Sequence, residues 1–279
     1  MKHVNLTPKT RSKYRIWAGK LYFRIRRRLF WLFENLEFAA TKEYQPYQYA
    51  YFTHSTPLLR QLKDLDMYLQ YNKITNLKLA AEKLNHIILQ PGEVLSYWRL
   101  IGKPTKRKGY QEGLVLFCGT LGTGVGGGLC QLSNLIYWIT LHTPLTVVER
   151  HRHSYDVFPD SNRTQPFGSG ATCVYNYRDL MIRNDTKEPF QLNLWLTETE
   201  LCGCWRANHK PTETYRIYEK DPCMNRELFG KYSRHNTIYR KVYDLDGNEI
   251  ADEYVTENHA LMMYEPFIEE KREKNQYKI

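Results

Sequence analysis

Cys130 stands where a thiol could become a nucleophile. It follows the run Gly119-Thr120-Leu121-Gly122-Thr123-Gly124-Val125-Gly126-Gly127-Gly128-Leu129 and precedes Gln131-Leu132-Ser133. Six glycines in ten residues predict a loop, because each adds backbone-entropy cost to a helix or strand. Behind it Leu132, Leu135, Ile136 and Ile139 recur at helical spacing, which predicts a buried helix starting near Cys130. A cysteine at a helix start faces free N–H groups and the positive end of the helix dipole. That setting lowers a thiol pKa, and the same N–H groups can hold a developing oxyanion. Three other readings compete. The glycines could cradle a phosphate, although no Lys follows in the Walker position. Cys130 could be a buried structural thiol or a metal ligand.

A thiol nucleophile needs a base in reach, and histidine is the usual one. His151 and His153 lie two apart in Glu149-Arg150-His151-Arg152-His153-Ser154. Cys130 with one of them makes a dyad; both exposed in an Arg-rich turn fits the sequence equally well. Zinc would need Cys202 and Cys204 with Cys130 and His153, but C-x₂-C pairs are absent. Strand alternation puts Cys202 and Cys204 on one side, as core residues would be. No metal or cofactor is assigned. Asp179, Asp185 and Glu149 read as strand-end and turn residues.

The elements that must position these groups divide the chain in two. Residues 41–56 read as a linker. Thr56 and Pro57 predict a helix start with Leu58, Leu62, Leu65 and Leu69 along one stripe. Thr75 predicts the cap of a second helix, with Leu77, Ala80, Ala81, Leu84 and Ile88 inward. A short strand is expected over 94–98. Beyond the central helix, strands are expected over 146–149, 171–175, 180–183, 190–196, 201–205 and 214–218. Asp246-Gly247 predicts a hairpin joining 237–243 to 250–255. The expected class is α+β, a helical N-terminal half packed on a mostly antiparallel C-terminal sheet.

Net charge is +10, yet residues 1–33 hold ten Lys or Arg and no acid, leaving 30 of each sign beyond them. The basic character therefore belongs to an arm, which weakens any case for a nucleic-acid-binding body. Along it Tyr14, Trp17, Leu21, Ile25, Leu29 and Leu32 form one side of an amphipathic helix. That suits an anionic membrane surface, and equally a helix packed on the body with its cations solvated. RNA is the least supported partner, since no stacking module accompanies the charge. No apolar run approaches the roughly 18–20 residues of a membrane span, and no export signal is read, so the expected compartment is the cytoplasm, with reduced cysteines.

Several separate blocks together resemble the VanW family. They are Asn76-Leu77-Lys78-Leu79-Ala80-Ala81, Pro91-Gly92-Glu93-Val94-Leu95-Ser96, Gly109-Tyr110, and Gly126 through Ser133. Glu149-Arg150 with His153-Ser154, Ala171-Thr172, and Asp179 through Thr186 complete the set. The match is best over 56–205, inside one expected domain of 41–265 between a basic arm (1–40) and a charged tail (266–279). The resemblance implies a link to the bacterial cell wall and vancomycin resistance. It also implies an L,D-transpeptidase-like acyl transfer, Cys130 attacking a peptidoglycan stem peptide or precursor with His153 as base. Gly126, Gly127, Gly128, Gln131 and Ser133 would form the oxyanion and substrate loop, with His151, Glu149, Arg150 and Ser154 as further candidates. The alternative it leaves is a non-catalytic accessory or muropeptide-binding protein. One position departs from the pattern: Gly170 stands where many members carry the Asp that would orient the histidine.

Overall fold

The computed structural model describes residues 11–59, 66–117, 120–153, 155–156, 165–227 and 230–264. In chain order it forms α1 (Lys13–Phe33), β1 (Tyr49–Pro57), α2 (Met67–Leu84), β2 (Ile87–Leu89), β3 (Val94–Ser96) and α3 (Tyr97–Ile101). Next come β4 (Glu112–Phe117), β5 (Thr120–Val125), α4 (Cys130–Thr140), β6 (Thr146–Glu149), β7 (Tyr155–Asp156) and β8 (Met181–Arg183). The C-terminal part contributes β9 (Phe190–Leu196), β10 (Glu200–Ala207), β11 (Thr214–Arg226), β12 (Tyr232–Tyr243) and β13 (Glu249–Met262). Helices cluster in the first half and antiparallel strands dominate the second, the α+β arrangement expected.

The core lies where α2 and α4 pack on the antiparallel sheet ordered β1-β10-β9-β2. Leu77, Ala80, Ala81 and Leu84 of α2 are buried, as are Leu132, Leu135, Ile136 and Ile139 of α4. Opposite them Phe190, Leu192, Leu201 and Trp205 fill the sheet's inner side. Trp205 is fully enclosed, and its indole Nε1–H donates to Thr140 Oγ1 at 2.9 Å. A buried indole N–H without an acceptor would be costly, so this bond fixes where α4 ends against the sheet. A small sheet, β3-β8-β6, carries the chain to Glu149, and the long β11-β12-β13 ribbon takes β7 in parallel at its edge.

Several local expectations fail, each because a distant partner outweighs local signals. The supposed linker ends in β1, whose residues pair with β10 from Tyr49↔Ala207 to Pro57↔Glu200. Pro57 ends an edge strand, where a missing N–H is harmless. It does not start a helix: α2 begins at Met67 after Asp66, runs through Thr75 without a break and stops before Ile88, which lies in β2. Leu62 and Leu65 lie outside the described residues. The expected strand over 94–98 turns into α3 after Ser96, whose hydroxyl accepts the Arg99 N–H. The glycine run is not all loop, because 120–125 forms β5 against β4, with Val115 lying over Gly122 and Gly124. Residues 171–175 form no extended strand, only an isolated bridge between Val174 and Arg178. The 266–279 tail and Ser154 lie outside the described residues.

Candidate functional site

The turn from β5 into α4 sets the position of Cys130. Gly127 packs against the main chain of Gly113, so closely that a Cβ there would overlap it. Its carbonyl accepts from Asn76 Nδ2 at 2.9 Å, and Asn76 also bonds Gln111 in both directions. Asn76 is fully buried in α2 and acts as the clamp on this turn. It lay within a quoted sequence block, but only the fold shows a polar side chain turned into the interior. The three glycine N–H groups are already taken: Gly126 donates to Gln111 O, Gly127 to Gly124 O and Gly128 to Leu114 O. Among the described residues, the N–H groups of Leu129 and Cys130 are the ones at this helix start with no main-chain acceptor.

Cys130 is the first residue of α4 and keeps partial exposure. Its thiol donates to the Cys173 carbonyl at 3.7 Å. Burial pushes the thiol pKa up, against a smaller opposing pull from that hydrogen bond. The direction is opposite to the lowering expected from the helix start, because burial disfavours the thiolate. Ser133 Oγ donates to Ala171 O at 2.7 Å, and Gln131 Nε2 reaches Thr56 Oγ1 and Pro57 O at 3.0 and 2.9 Å. In this state both side chains tie α4 to its neighbours.

The segment Ala171–Cys173 links α4 to the histidines. Asn134 Oδ1 accepts from Ala171 N–H, Cys173 O accepts from Cys130, and Thr172 N–H donates to His151 O at 2.8 Å. Among the described residues no hydrogen bond joins Cys130 to His151 or His153. His151 instead bonds the Glu149 carboxylate at 2.9 Å. Burial pushes the Glu149 carboxyl up, but His151, Arg27 and the Asp179 N–H together bring it below its ordinary value. His153 is half-buried. Burial, with Arg178 and Arg152 adding to it, pushes its ring down to about 4. The ring is thus neutral at physiological pH, and the same shift makes it a weaker proton acceptor than a free imidazole.

Arg150 has no carboxylate on it among the described residues. Its guanidinium donates to Gly170 O at 2.9 Å, to Gly168 O, and to Thr256 Oγ1 at 3.0 Å, and it stacks over the Tyr137 ring. It ties the 168–170 loop to β13 and α4. The departure at Gly170 has a local reason: a Cβ there would lie 2.8 Å from Asn134 Oδ1. Asn134 occupies the space that an Asp side chain would need.

Asp179 was a turn residue in sequence terms, yet it is fully buried. It accepts from Ser96 Oγ, Trp98 N–H and Leu180 N–H. Burial pushes its carboxyl up to about 7 despite those bonds. Cys202 and Cys204 are buried on β10, as core residues. No group of three or more His, Cys, Asp or Glu placed to hold a metal occurs among the described residues. On the α2 side of the glycine turn, Tyr68, Asn72, Lys106, Tyr110, Gln111 and Glu112 line an open cavity of about 300 Å³.

Comparison with known proteins agrees with the sequence blocks. The family model described as VanW like protein matches residues 72–206. The chain is 36% identical to the vancomycin B-type resistance protein VanW of Enterococcus faecalis, over 79% of this chain and 80% of that protein. It is 29% identical to the uncharacterised protein YoaR of Bacillus subtilis, over 41% of this chain and 36% of that protein. No solved structure matches the chain.

Proposed function

This chain belongs to the VanW family, a family linked to vancomycin resistance, and we propose that it performs acyl transfer at Cys130 on peptidoglycan stem peptides or their precursors. Cys130 Sγ attacks the carbonyl preceding a terminal D-Ala, and its proton passes to His153. The S–C bond forms, the C–N bond breaks, and the proton goes to the departing amine. An amine of a second stem then attacks the thioester, forming a C–N bond and returning the thiol. The Leu129 and Cys130 N–H groups, without a main-chain acceptor among the described residues, would hold the developing oxyanion.

The observation that carries this reading is the placement of Cys130. It is the partly exposed first residue of α4, beside the segment that bonds the histidine-bearing chain. His153 is unprotonated at physiological pH, as a base must be, but its lowered pKa requires the surroundings to change before it takes the thiol proton. Because the Cys130 thiol bonds the Cys173 carbonyl and not His153, the reaction needs a movement that brings His153 within reach of Sγ.

The test is to incubate the protein with a synthetic stem tetrapeptide and look for an acyl adduct by mass spectrometry. An adduct on Cys130, absent in Cys130→Ala and reduced about a hundredfold in His153→Ala, is the expected result. Iodoacetamide alkylation across pH supplies the thiol's own titration. The second reading, a non-catalytic muropeptide-binding protein, is favoured by one specific fact: the glycine N–H groups are already bonded to main-chain carbonyls. Stem-peptide binding by calorimetry, with no adduct and an unreactive thiol, would select it.

A further inference from the structure

The helix α1 is held to the body by one side only. Arg27 forms a two-pronged pair with Glu149 at 2.7 and 2.6 Å. Arg24 Nε donates to Tyr175 O, Asn176 Nδ2 donates to Arg24 O, and Arg99 donates to Trp31 O. The half-buried positions Ile16, Lys20, Arg24, Arg27 and Trp31 recur at helical spacing and mark this docked side. About 120° around the helix run Tyr14, Trp17, Leu21, Ile25, Leu29 and Leu32, the apolar stripe. All six are exposed: Tyr14 to 85%, Trp17 to 66% and Leu32 to 73%. No residue of α1 is buried. Packing on the body, one of the two uses this helix suggested, thus employs the cationic side and leaves the apolar stripe in solvent.

Charge says what covers the stripe. Lys13, Arg15, Arg26 and Arg28 are exposed around it, and α1 contains no acidic residue. An apolar stripe with aromatic side chains and a rim of cations is the pattern that inserts into the headgroup region of an anionic bilayer. The helix is suited to lying on the surface, since no helix among the described residues is long and apolar enough to cross a membrane. We propose that α1 is a membrane-surface docking helix, with Trp17, Leu21, Ile25 and Leu32 entering an anionic lipid layer while Arg27 keeps the helix on the body. The carboxylate that anchors it, Glu149, also holds His151. A docked α1 therefore holds the Glu149–His151 edge close to the lipid surface. This inference does not depend on acyl transfer at Cys130.

The test uses the full chain and vesicles of phosphatidylcholine with roughly 30 mol% phosphatidylglycerol, compared with pure phosphatidylcholine. Co-sedimentation with the anionic vesicles, weakened by added salt, is expected. Replacing Trp17, Leu21 and Ile25 together by Ser should reduce binding at least about tenfold. Far-UV circular dichroism should be unchanged, because these side chains pack on nothing buried. Equal binding by wild type and the triple variant would overturn the proposal, as would no preference for anionic lipid. So would a stable dimer in solution that the triple variant converts to monomer, since a second copy would then cover the stripe.

Discussion

His142 stacks flat on Phe52 with ring centroids 3.7 Å apart and bonds the Trp138 carbonyl through Nδ1 at 2.9 Å. Burial pushes its ring down to about 4, outweighing that hydrogen bond, with His54 and Arg240 adding to the fall. A folded pKa below the unfolded value means the stabilisation is fully present above about 6.5 and is lost as pH falls towards about 4. The contribution is on the order of 3 kcal/mol. Urea denaturation of wild type and His142→Phe at pH 7 and pH 4 should therefore show the wild type losing that much more than the variant. Parallel losses would mean the ring does not titrate in this window. The variant comparison is needed because Asp179 works in the opposite direction. Its carboxyl, raised to about 7, is ionised at a cost that grows as pH climbs from its unfolded value through 7.

At the scale of the elements, the contact between Gly113 and Gly127 decides how β5 can turn into α4. Two main chains meet there without side chains between them, and Asn76 bonds both Gly127 and Gln111. Gly127→Ala should destabilise the fold by about 3 kcal/mol, because the methyl group has no room and the overlapped atoms are main chain. Thermal unfolding of the variant checks this; a melting temperature within a degree or so of wild type would show that the turn relaxes cheaply. The elements also explain the failed local expectations. Thr56-Pro57 carries a good helix-start signal, but β10 offers that segment a ladder along its whole length. Glycines in β5 are poor strand formers alone, yet β4 supplies the Val115 side chain that covers two of them.

For the molecule as a whole, Arg150 joins parts that the sequence keeps far apart. It follows β6 directly and bonds the 168–170 loop and β13 while lying over a ring of α4. Its burial lowers its pKa, and carbonyl oxygens and a hydroxyl take the place of a counter-charge. Arg150→Met should keep the packing volume but leave those acceptors unpaired, costing about 2 kcal/mol. Limited proteolysis should then cut the 165–171 region and the ribbon sooner than in wild type. An unchanged digestion pattern would remove Arg150 from this role.

What the sequence determined by itself was what depends on near neighbours. The periodicity of α4, the start of that helix at Cys130, the Asp246-Gly247 hairpin, the pairing of 190–196 with the strand after it and the helical character of the arm all follow from residues a few positions apart. The blocks around Asn76, Cys130 and Asp179 were likewise sufficient to mark the family. Tertiary structure alone decided which groups meet. It placed β1 on β10, put Asn134 beside Gly170, paired Glu149 with Arg27, and turned the arm's apolar stripe outward. It also reversed the expected direction of the Cys130 pKa. The physical reason is common to all of these. Desolvation and hydrogen bonding depend on what surrounds a group in space, and those surroundings come from segments tens to more than a hundred residues away.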